Sequence, residues 1–145
     1  MDDDILAQRP ARESFRVRYA TPTRWRDDDV YGHMNNVVYH EYFDSAVNRW
    51  LVESGALDVP RGPVVGLVAE TACRHHAAVG FPQTIEVGLR AARVGRTSVV
   101  YALALWGAAA EAAAVCRYVH VYVDAATHRP TPLPEPLRAA LAALG

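Results

Sequence analysis

The sequence predicts an α+β domain in which one long helix packs against an antiparallel sheet. One stretch has the period of an amphipathic helix, and five others have strand patterns, four of them joined by short turns. A length of 145 residues fits a single domain. We expect a loose leader over 1–13, the folded domain over 14–126, and a proline-rich tail with a short terminal helix over 127–145.

The composition limits the partners of the chain. Hydrophobic residues make up 51% and charged residues 21%, which indicates a folded, water-soluble protein. A formal net charge of -1 supplies no overall field that would attract nucleic acid or an anionic membrane. No signal peptide and no run of about 20 apolar residues is evident, so a cytoplasmic location is expected.

Cysteine usage argues against a disulfide-stabilised fold. The chain has two cysteines, Cys73 and Cys116, and both fall inside apolar strand-like stretches. Two cysteines form neither a disulfide framework nor a zinc-ribbon spacing. Both are expected to be buried thiols, because free cysteine is among the residues most often found in cores.

The first strand is indicated by alternation. Phe15, Val17 and Tyr19 alternate with Arg16 and Arg18. This period of two is typical of a strand with one buried face.

The central helix is predicted over 37–51. Its apolar residues recur at three- and four-residue intervals, and polar residues occupy the other positions. Asn35 or Asn36 is placed to cap its start, and Gly55 can adopt the left-handed conformation that ends it. The predicted buried face consists of Tyr39, Tyr42, Phe43, Ala46, Val47, Trp50 and Leu51.

Four more strands are predicted, at about 65–79, 84–94, 97–106 and 112–123. The turns between them are short and contain glycine or proline. Short connections require antiparallel hairpins, because a parallel pair needs a crossover of a dozen or more residues. We therefore expect each of these strands to pair with the next one along the chain.

A polar motif lies between the first strand and the helix: Asp27-x-Asp29-x-x-Gly32-His33-x-Asn35-Asn36-x-x-Tyr39. Followed by an aromatic helix, it resembles the signature of hotdog-fold acyl-CoA thioesterases of the 4-hydroxybenzoyl-CoA thioesterase type. The resemblance covers about residues 14–124. It implies a five-stranded antiparallel sheet wrapped around one long central helix, hydrolysis of an acyl-CoA thioester, and no cofactor apart from the coenzyme A within the substrate.

The resemblance also implies roles within the motif. Asp29 corresponds to the catalytic carboxylate, acting as nucleophile or as general base, and backbone N–H groups near Gly32 would polarise the thioester carbonyl. His33 would orient the thioester or assist the leaving thiolate, and Asn35 or Asn36 would place a water. The residue types alone also allow structural roles. His33 would then be a partly solvated capping residue, and the asparagines would serve only as helix caps.

The two preceding aspartates have a structural interpretation. Asp27 and Asp28 are expected to form a solvated turn or to pair with Arg24 and Arg26. Their proximity to Asp29 does not by itself make them catalytic.

Substrate contacts are expected outside the motif as well. Arg90, Arg93 and Arg96 cluster near one end of the predicted sheet, and arginine suits the phosphates of coenzyme A. The alternative is that they are ordinary exposed charges. Asn36 and Tyr39 are expected to line the substrate site, although Tyr39 also fits the core.

No metal site is predicted. His75 and His76 are adjacent strand residues, and adjacent strand residues point to opposite faces of a sheet. Glu70 is expected to be an accessory or interface residue rather than the catalytic acid.

A second copy of the chain is expected as a partner. An antiparallel sheet with an open edge favours a homodimer, with a homotetramer as the alternative, and the resemblance places active sites at the dimer interface. Two other functions stay open. The first is enoyl-thioester hydration by Asp28 and His33, which are separated by four residues; the second is acyl-thioester binding without catalysis.

Overall fold

The computed structural model describes residues 2–145 and contains five strands and two α-helices in that range. The elements are β1 (Val17–Pro22), α1 (Asn36–Glu53), β2 (Val64–His75), β3 (Thr84–Val94), β4 (Ser98–Trp106), β5 (Ala114–Asp124) and α2 (Glu135–Leu144). Short 3-10 segments occupy Asp2–Ala7, Arg12–Ser14 and Trp25–Asp27.

The strands form one antiparallel sheet in the order β1-β3-β4-β5-β2, with α1 packed on one face. This is the hotdog arrangement that the resemblance implies, so the predicted fold class is confirmed. Strands β3–β4 and β4–β5 pair as neighbours, as expected.

The predicted pairing of β2 with β3 is wrong. Strand β2 ends at His75, and residues 76–83 carry the chain to the opposite edge of the sheet, where Thr84 of β3 pairs with Pro22 of β1. Strand β2 instead pairs with β5 along its length. The sequence suggested a strand continuing to residue 79, which made the connection look short enough for a hairpin.

Helix α1 buries the face that its period predicts. The residues Tyr39, Tyr42, Phe43, Ala46, Val47, Trp50 and Leu51 are all buried against the sheet. The indole of Trp50 meets the ring of Tyr101 edge to face, with centroids 6.0 Å apart. Burying one large apolar side chain contributes about 1.5–3 kcal/mol, so this face holds the helix firmly on the sheet.

The leader contributes contacts to the sheet within the described residues, beginning with the 3-10 segment Asp2–Ala7. Ile5 is 4% exposed and packs on Val100 and Ala102, on the face of the sheet that α1 leaves uncovered. The guanidinium of Arg9 donates to the carbonyl oxygen of Ala112 at 3.1 and 3.0 Å. The segment therefore forms a third layer on the sheet.

The terminal helix α2 lies within the predicted tail and contributes to the core. Its buried residues are Leu137, Leu141 and Leu144. Between residues 2 and 145, no helix is both long and apolar enough to cross a membrane.

Candidate active site

The loop that joins β1 to α1 is built on Asp27. Its side chain is 0% exposed, and it accepts hydrogen bonds from the backbone N–H of Arg24 at 2.8 Å, from Nε of Arg24 at 2.9 Å and from the hydroxyl of Tyr42. Burial alone would raise the pKa of Asp27, but the bonds from Tyr42 and Arg24 hold the pKa below its usual range. The expected pairing with Arg24 is confirmed, whereas the solvated turn is wrong for this residue.

Asp28 fixes the same loop to the crossover that follows β2. Both of its carboxylate oxygens lie 3.2 Å from the backbone nitrogen of Phe81, which donates to them. Met34 donates its N–H to the carbonyl oxygen of Val79 at 2.9 Å and reinforces this attachment. Among the described residues, the carboxylate of Asp28 accepts the N–H of Phe81 and makes no hydrogen bond to His33.

Asp29 is the one aspartate of the three that keeps a carboxylate oxygen without a protein hydrogen-bond partner within the described chain. Its Oδ1 accepts the N–H of Tyr31 at 2.9 Å, and its backbone N–H donates to the carbonyl oxygen of His33 at 3.1 Å. The side chain is partly exposed. One oxygen is thus held in place while the other is able to react.

Gly32 forms a turn within the loop. Its φ is +83°, a conformation that favours glycine, and a β-carbon built there meets nothing within 4 Å. Its N–H donates to the carbonyl oxygen of Asp29 at 3.0 Å and is therefore occupied within the turn. An N–H group that is free to bind a ligand must come from another residue of this neighbourhood.

The start of α1 offers such a group. Asn35 caps the helix, since its Oδ1 accepts the N–H of Val37 at 2.9 Å, which confirms the expected cap. Asn36 is the first helical residue, so its N–H has no intrahelical acceptor. The positive end of the helix dipole adds to its attraction for developing negative charge.

A shallow depression of about 360 Å³ opens beside this helix start. It is lined by His33, Met34, Asn36, Tyr39, His75, His76, Ala77 and Ala78. Tyr39 is 4% exposed, and its ring meets that of His75 edge to face, with centroids 4.6 Å apart. Tyr39 therefore belongs to the core and also lines the depression. Burial and the nearby His40 lower the pKa of His75, which favours the neutral ring.

A second groove, of about 350 Å³, runs along α1 between the helix and strands β2 and β5. It starts at Val37 beside the helix start and reaches Asp44 and Tyr118. The hydroxyl of Tyr118 donates to Oδ1 of Asp44 at 2.6 Å. The groove also holds His40, Glu41, Phe43, Val68, Thr71 and Cys116.

Behind this groove lies a buried polar chain that sequence reasoning missed. Nε2 of His120 is 3.2 Å from the hydroxyl of Tyr118, and Nδ1 is 3.1 Å from the hydroxyl of Tyr122. The hydroxyls of Tyr122 and Tyr101 are 2.8 Å apart. Burial lowers the pKa of His120 to about 4. The signal in the sequence was the alternation of Tyr118, His120 and Tyr122 on one face of β5.

Within a single chain, the three arginines Arg90, Arg93 and Arg96 lie away from the start of α1. Arg90 lies on the outer face of the sheet, beside the leader. Arg93 and Arg96 lie near the β3–β4 turn, and at about 3.3 Å per residue this end of β3 is about 30 Å from Thr84, which adjoins the loop.

Glu70 is also directed away from the helix start. It pairs with Arg117, whose side chain is on the outer face of β5. Across residues 2–145, no group of three or more His, Cys, Asp or Glu side chains is arranged to hold a metal ion.

Comparisons with known proteins agree with this geometry. The model of a family described as the thioesterase-like superfamily matches residues 23–141. The PA5185 protein of Pseudomonas aeruginosa PAO1 is 50% identical, with 94% of this chain and 96% of that chain covered and a TM-score of 0.90. No curated protein matches the sequence.

Two further solved structures are similar. A thioesterase from Thermus thermophilus, complexed with coenzyme A and Zn, is 31% identical over 91% of this chain and 96% of that chain, with a TM-score of 0.77. The PA2801 protein of Pseudomonas aeruginosa, described provisionally as a thioesterase, is 30% identical to this chain. The match covers 86% of this chain and 96% of that chain, with a TM-score of 0.79.

Proposed function

The chain belongs to the thioesterase-like superfamily, and from this premise we propose that it hydrolyses an acyl-CoA thioester to the free acid and coenzyme A. The observation that carries the proposal is the partly exposed carboxylate of Asp29. One of its oxygens is fixed by Tyr31, and the other has no hydrogen-bond partner within the described chain. A carboxylate held in this way at a helix start suits attack on a carbonyl or activation of water.

Two routes use Asp29. As a nucleophile, its oxygen adds to the thioester carbonyl and the coenzyme A thiolate leaves, giving a mixed anhydride that water then hydrolyses. As a general base, it takes a proton from the water that attacks the carbonyl.

The oxyanion that forms on the carbonyl needs hydrogen-bond donors. We assign this role to the N–H groups at the start of α1, of which that of Asn36 has no intrahelical acceptor. One well-placed donor is worth about 3–4 kcal/mol of transition-state stabilisation in a protease. His33 and Asn36 on the rim of the adjoining depression would orient the thioester or a water.

We further propose a homodimer, or a homotetramer built from such dimers, with the active sites at the dimer interface. The open edge of β2 carries exposed apolar side chains, including Val68 at 49% exposure. Near the catalytic loop, Trp25 is 82% exposed and Val30 is 96% exposed. Large exposed apolar surfaces of this kind mark association sites.

An active site shared between two copies would also give the arginines a role. Arg90, Arg93 and Arg96 are far from the helix start of their own chain, so contacts to the phosphates of coenzyme A require a site formed by two chains. Arginine forms bidentate hydrogen bonds with phosphate, which suits this role.

The test is the Asp29→Asn variant, with thiol release from acyl-CoAs of varied length and branching followed by a thiol-reactive dye. Turnover is expected to fall by about two orders of magnitude or more, because the variant removes the reactive charge. Asp58→Asn, which changes an exposed aspartate away from the site, is expected to keep wild-type turnover.

Three results would contradict the proposal. They are full turnover by Asp29→Asn, tight acyl-CoA binding by wild type without thiol release, and loss of the ultraviolet absorbance of an enoyl-CoA without thiol release. Circular dichroism of each variant checks that the fold is retained.

A further inference from the structure

The two cysteines lie directly opposite each other on neighbouring strands. Cys73 of β2 is the register partner of Cys116 of β5. Both contribute to the core on the face of the sheet that α1 covers, and both are free thiols. The expectation that both thiols are buried is confirmed for Cys116 and is wrong for Cys73, which is partly exposed, and the sequence gave no indication of this pairing.

The backbone pattern identifies the kind of pair. Tyr122 of β5 donates its N–H to the carbonyl oxygen of Thr97, which directly precedes β4, at 2.8 Å. The backbone groups of successive strand residues point to alternate sides of the strand. Cys116 lies six residues before Tyr122, and β5 pairs with β4 without a bulge, so the backbone of Cys116 also forms its hydrogen bonds with β4. Cys73 and Cys116 therefore form a non-hydrogen-bonded pair.

This kind of pair brings two thiols within bonding reach. The Cα atoms of a non-hydrogen-bonded antiparallel pair are about 4.5 Å apart. Disulfides occur at Cα separations of about 4.4–6.8 Å. Rotation of the two side chains, without a shift of the strands, is therefore sufficient to join the sulfurs.

The two thiols have different surroundings, which gives them different roles. Cys73 is partly exposed, and its Sγ is 3.8 Å from Nδ1 of His40 on α1. A hydrogen bond from the Cys116 thiol lowers the pKa of Cys73, whereas the same bond and burial raise the pKa of Cys116. The thiolate is the reactive form of cysteine, so Cys73 is the residue that reacts first.

The pair is also reachable by small molecules. Cys116 lines the groove of about 350 Å³ along α1, together with Thr71 and His40. A small polar oxidant that enters this groove meets Cys116 at its floor, and Cys73 on the neighbouring strand is itself partly exposed.

We propose that Cys73 and Cys116 form an oxidisable dithiol that reacts with hydroperoxides and closes to an intrachain cross-strand disulfide. The thiolate of Cys73 attacks the peroxide oxygen; the O–O bond breaks, an alcohol or water leaves, and Cys73 becomes a sulfenic acid. The sulfur of Cys116 then displaces hydroxide, which leaves as water with the Cys116 proton, and the S–S bond forms. The two sulfurs together lose two electrons, and these reduce the peroxide.

The experiment treats the reduced full-length protein with hydrogen peroxide, blocks remaining thiols by alkylation, and analyses intact mass and non-reduced peptides. Wild type is expected to lose two hydrogen atoms and to give one peptide pair linked through Cys73 and Cys116. In Cys116→Ala, the Cys73 sulfenic acid is expected to accumulate and to be trapped by dimedone. In Cys73→Ala, Cys116 is expected to stay reduced over the same time.

A third variant tests the contact with α1. His40→Asn is expected to slow disulfide formation about tenfold, because it removes the imidazole nitrogen that lies 3.8 Å from Sγ of Cys73. Circular dichroism checks that each variant is folded. The readout is thiol chemistry alone, so it stays valid if the protein has no thioesterase activity.

The proposal is overturned by any of three results in wild type. These are unreacted thiols under conditions that oxidise an unfolded control, a disulfide between two chains, and over-oxidation of Cys73 without an intrachain link.

Discussion

Asp27, Asp28 and Asp29 are adjacent in the chain, but their carboxylates meet three different environments. Asp27 is fully buried against Arg24 and Tyr42, and Asp28 holds the N–H of Phe81. Asp29 points one oxygen into its own turn and leaves the other unpartnered within the described chain. The first two side chains fix the loop so that the third has a defined position.

The sequence supports part of this arrangement. The spacing to Gly32 distinguishes Asp29, because the glycine marks the turn that Asp29 begins. The burial of Asp27 was not predictable from neighbouring residues, since it depends on a hydroxyl that Tyr42 supplies from the helix face. The use of the Gly32 N–H within the turn likewise depends on backbone geometry that the residue type does not specify.

The buried carboxylate of Asp27 is expected to dominate the stability of the loop. Asp27→Asn removes the charge that accepts hydrogen bonds from Arg24 and Tyr42, and the loss of hydrogen bonds to a charged group costs about 1.5–3 kcal/mol. Urea unfolding of the variant measures the loss. Asp58→Asn, at an exposed position, is the control and should change stability by less than about 0.5 kcal/mol. Equal stability of both variants would show that Asp27 is not an energetic anchor.

The same residue gives a pH dependence with a defined sign. The pKa of Asp27 is lower in the folded protein than its ordinary value, so its stabilisation is complete above about pH 4. That contribution is lost as the pH falls through the lowered folded pKa. The difference in unfolding free energy between wild type and Asp27→Asn should therefore shrink on acidification.

At the scale of elements, the helix was the most predictable part. Its buried face follows from the spacing of apolar residues alone, and its start follows from the preference of asparagine for the cap position. The pairing of β2 was not predictable, because β2 and β5 are far apart in sequence and their pairing depends on how all the strands of the sheet are arranged. Two strands with similar patterns give no local signal of which neighbour each will take.

Variants of the two asparagines at the start of α1 distinguish helix capping from other roles. Asn35→Ala is expected to reduce the free energy of unfolding by about 1 kcal/mol, because the N–H of Val37 loses its acceptor. Asn36→Ala leaves the cap intact and is expected to change stability by less than about 0.5 kcal/mol. Thermal or urea unfolding of the pair provides the measurement. Equal losses in both variants would contradict the assignment of Asn35 as the cap.

At the scale of the molecule, the sheet is covered unequally. Helices α1 and α2 pack on one face, and the leader covers part of the other through Ile5 and Pro10, whose carbonyl oxygen accepts the indole N–H of Trp106 at 2.9 Å. The edge at β2 has no further strand within residues 2–145. The leader gave no periodic signal because its few apolar residues dock singly, without a repeating face.

The open edge yields a prediction about assembly. Val68→Lys places a charge on β2, where lysine opposes edge-to-edge pairing, and is expected to shift the proposed dimer towards monomer. Val94→Lys is the matched control, because Val94 is 42% exposed against 49% for Val68 but lies at the end of β3. Sedimentation of both variants and wild type measures the shift. A monomeric wild type, or equal dissociation of the two variants, would refute the proposed edge contact.

The buried chain from Tyr101 to Asp44 has only one consistent order of protons. Tyr118 gives its single hydrogen to Asp44, so Nε2 of His120 must carry the proton directed at Tyr118. The neutral ring then accepts at Nδ1 from Tyr122, whose oxygen accepts in turn from Tyr101. A surface carboxylate thereby selects the histidine tautomer two hydrogen bonds away and orients every hydroxyl dipole behind it.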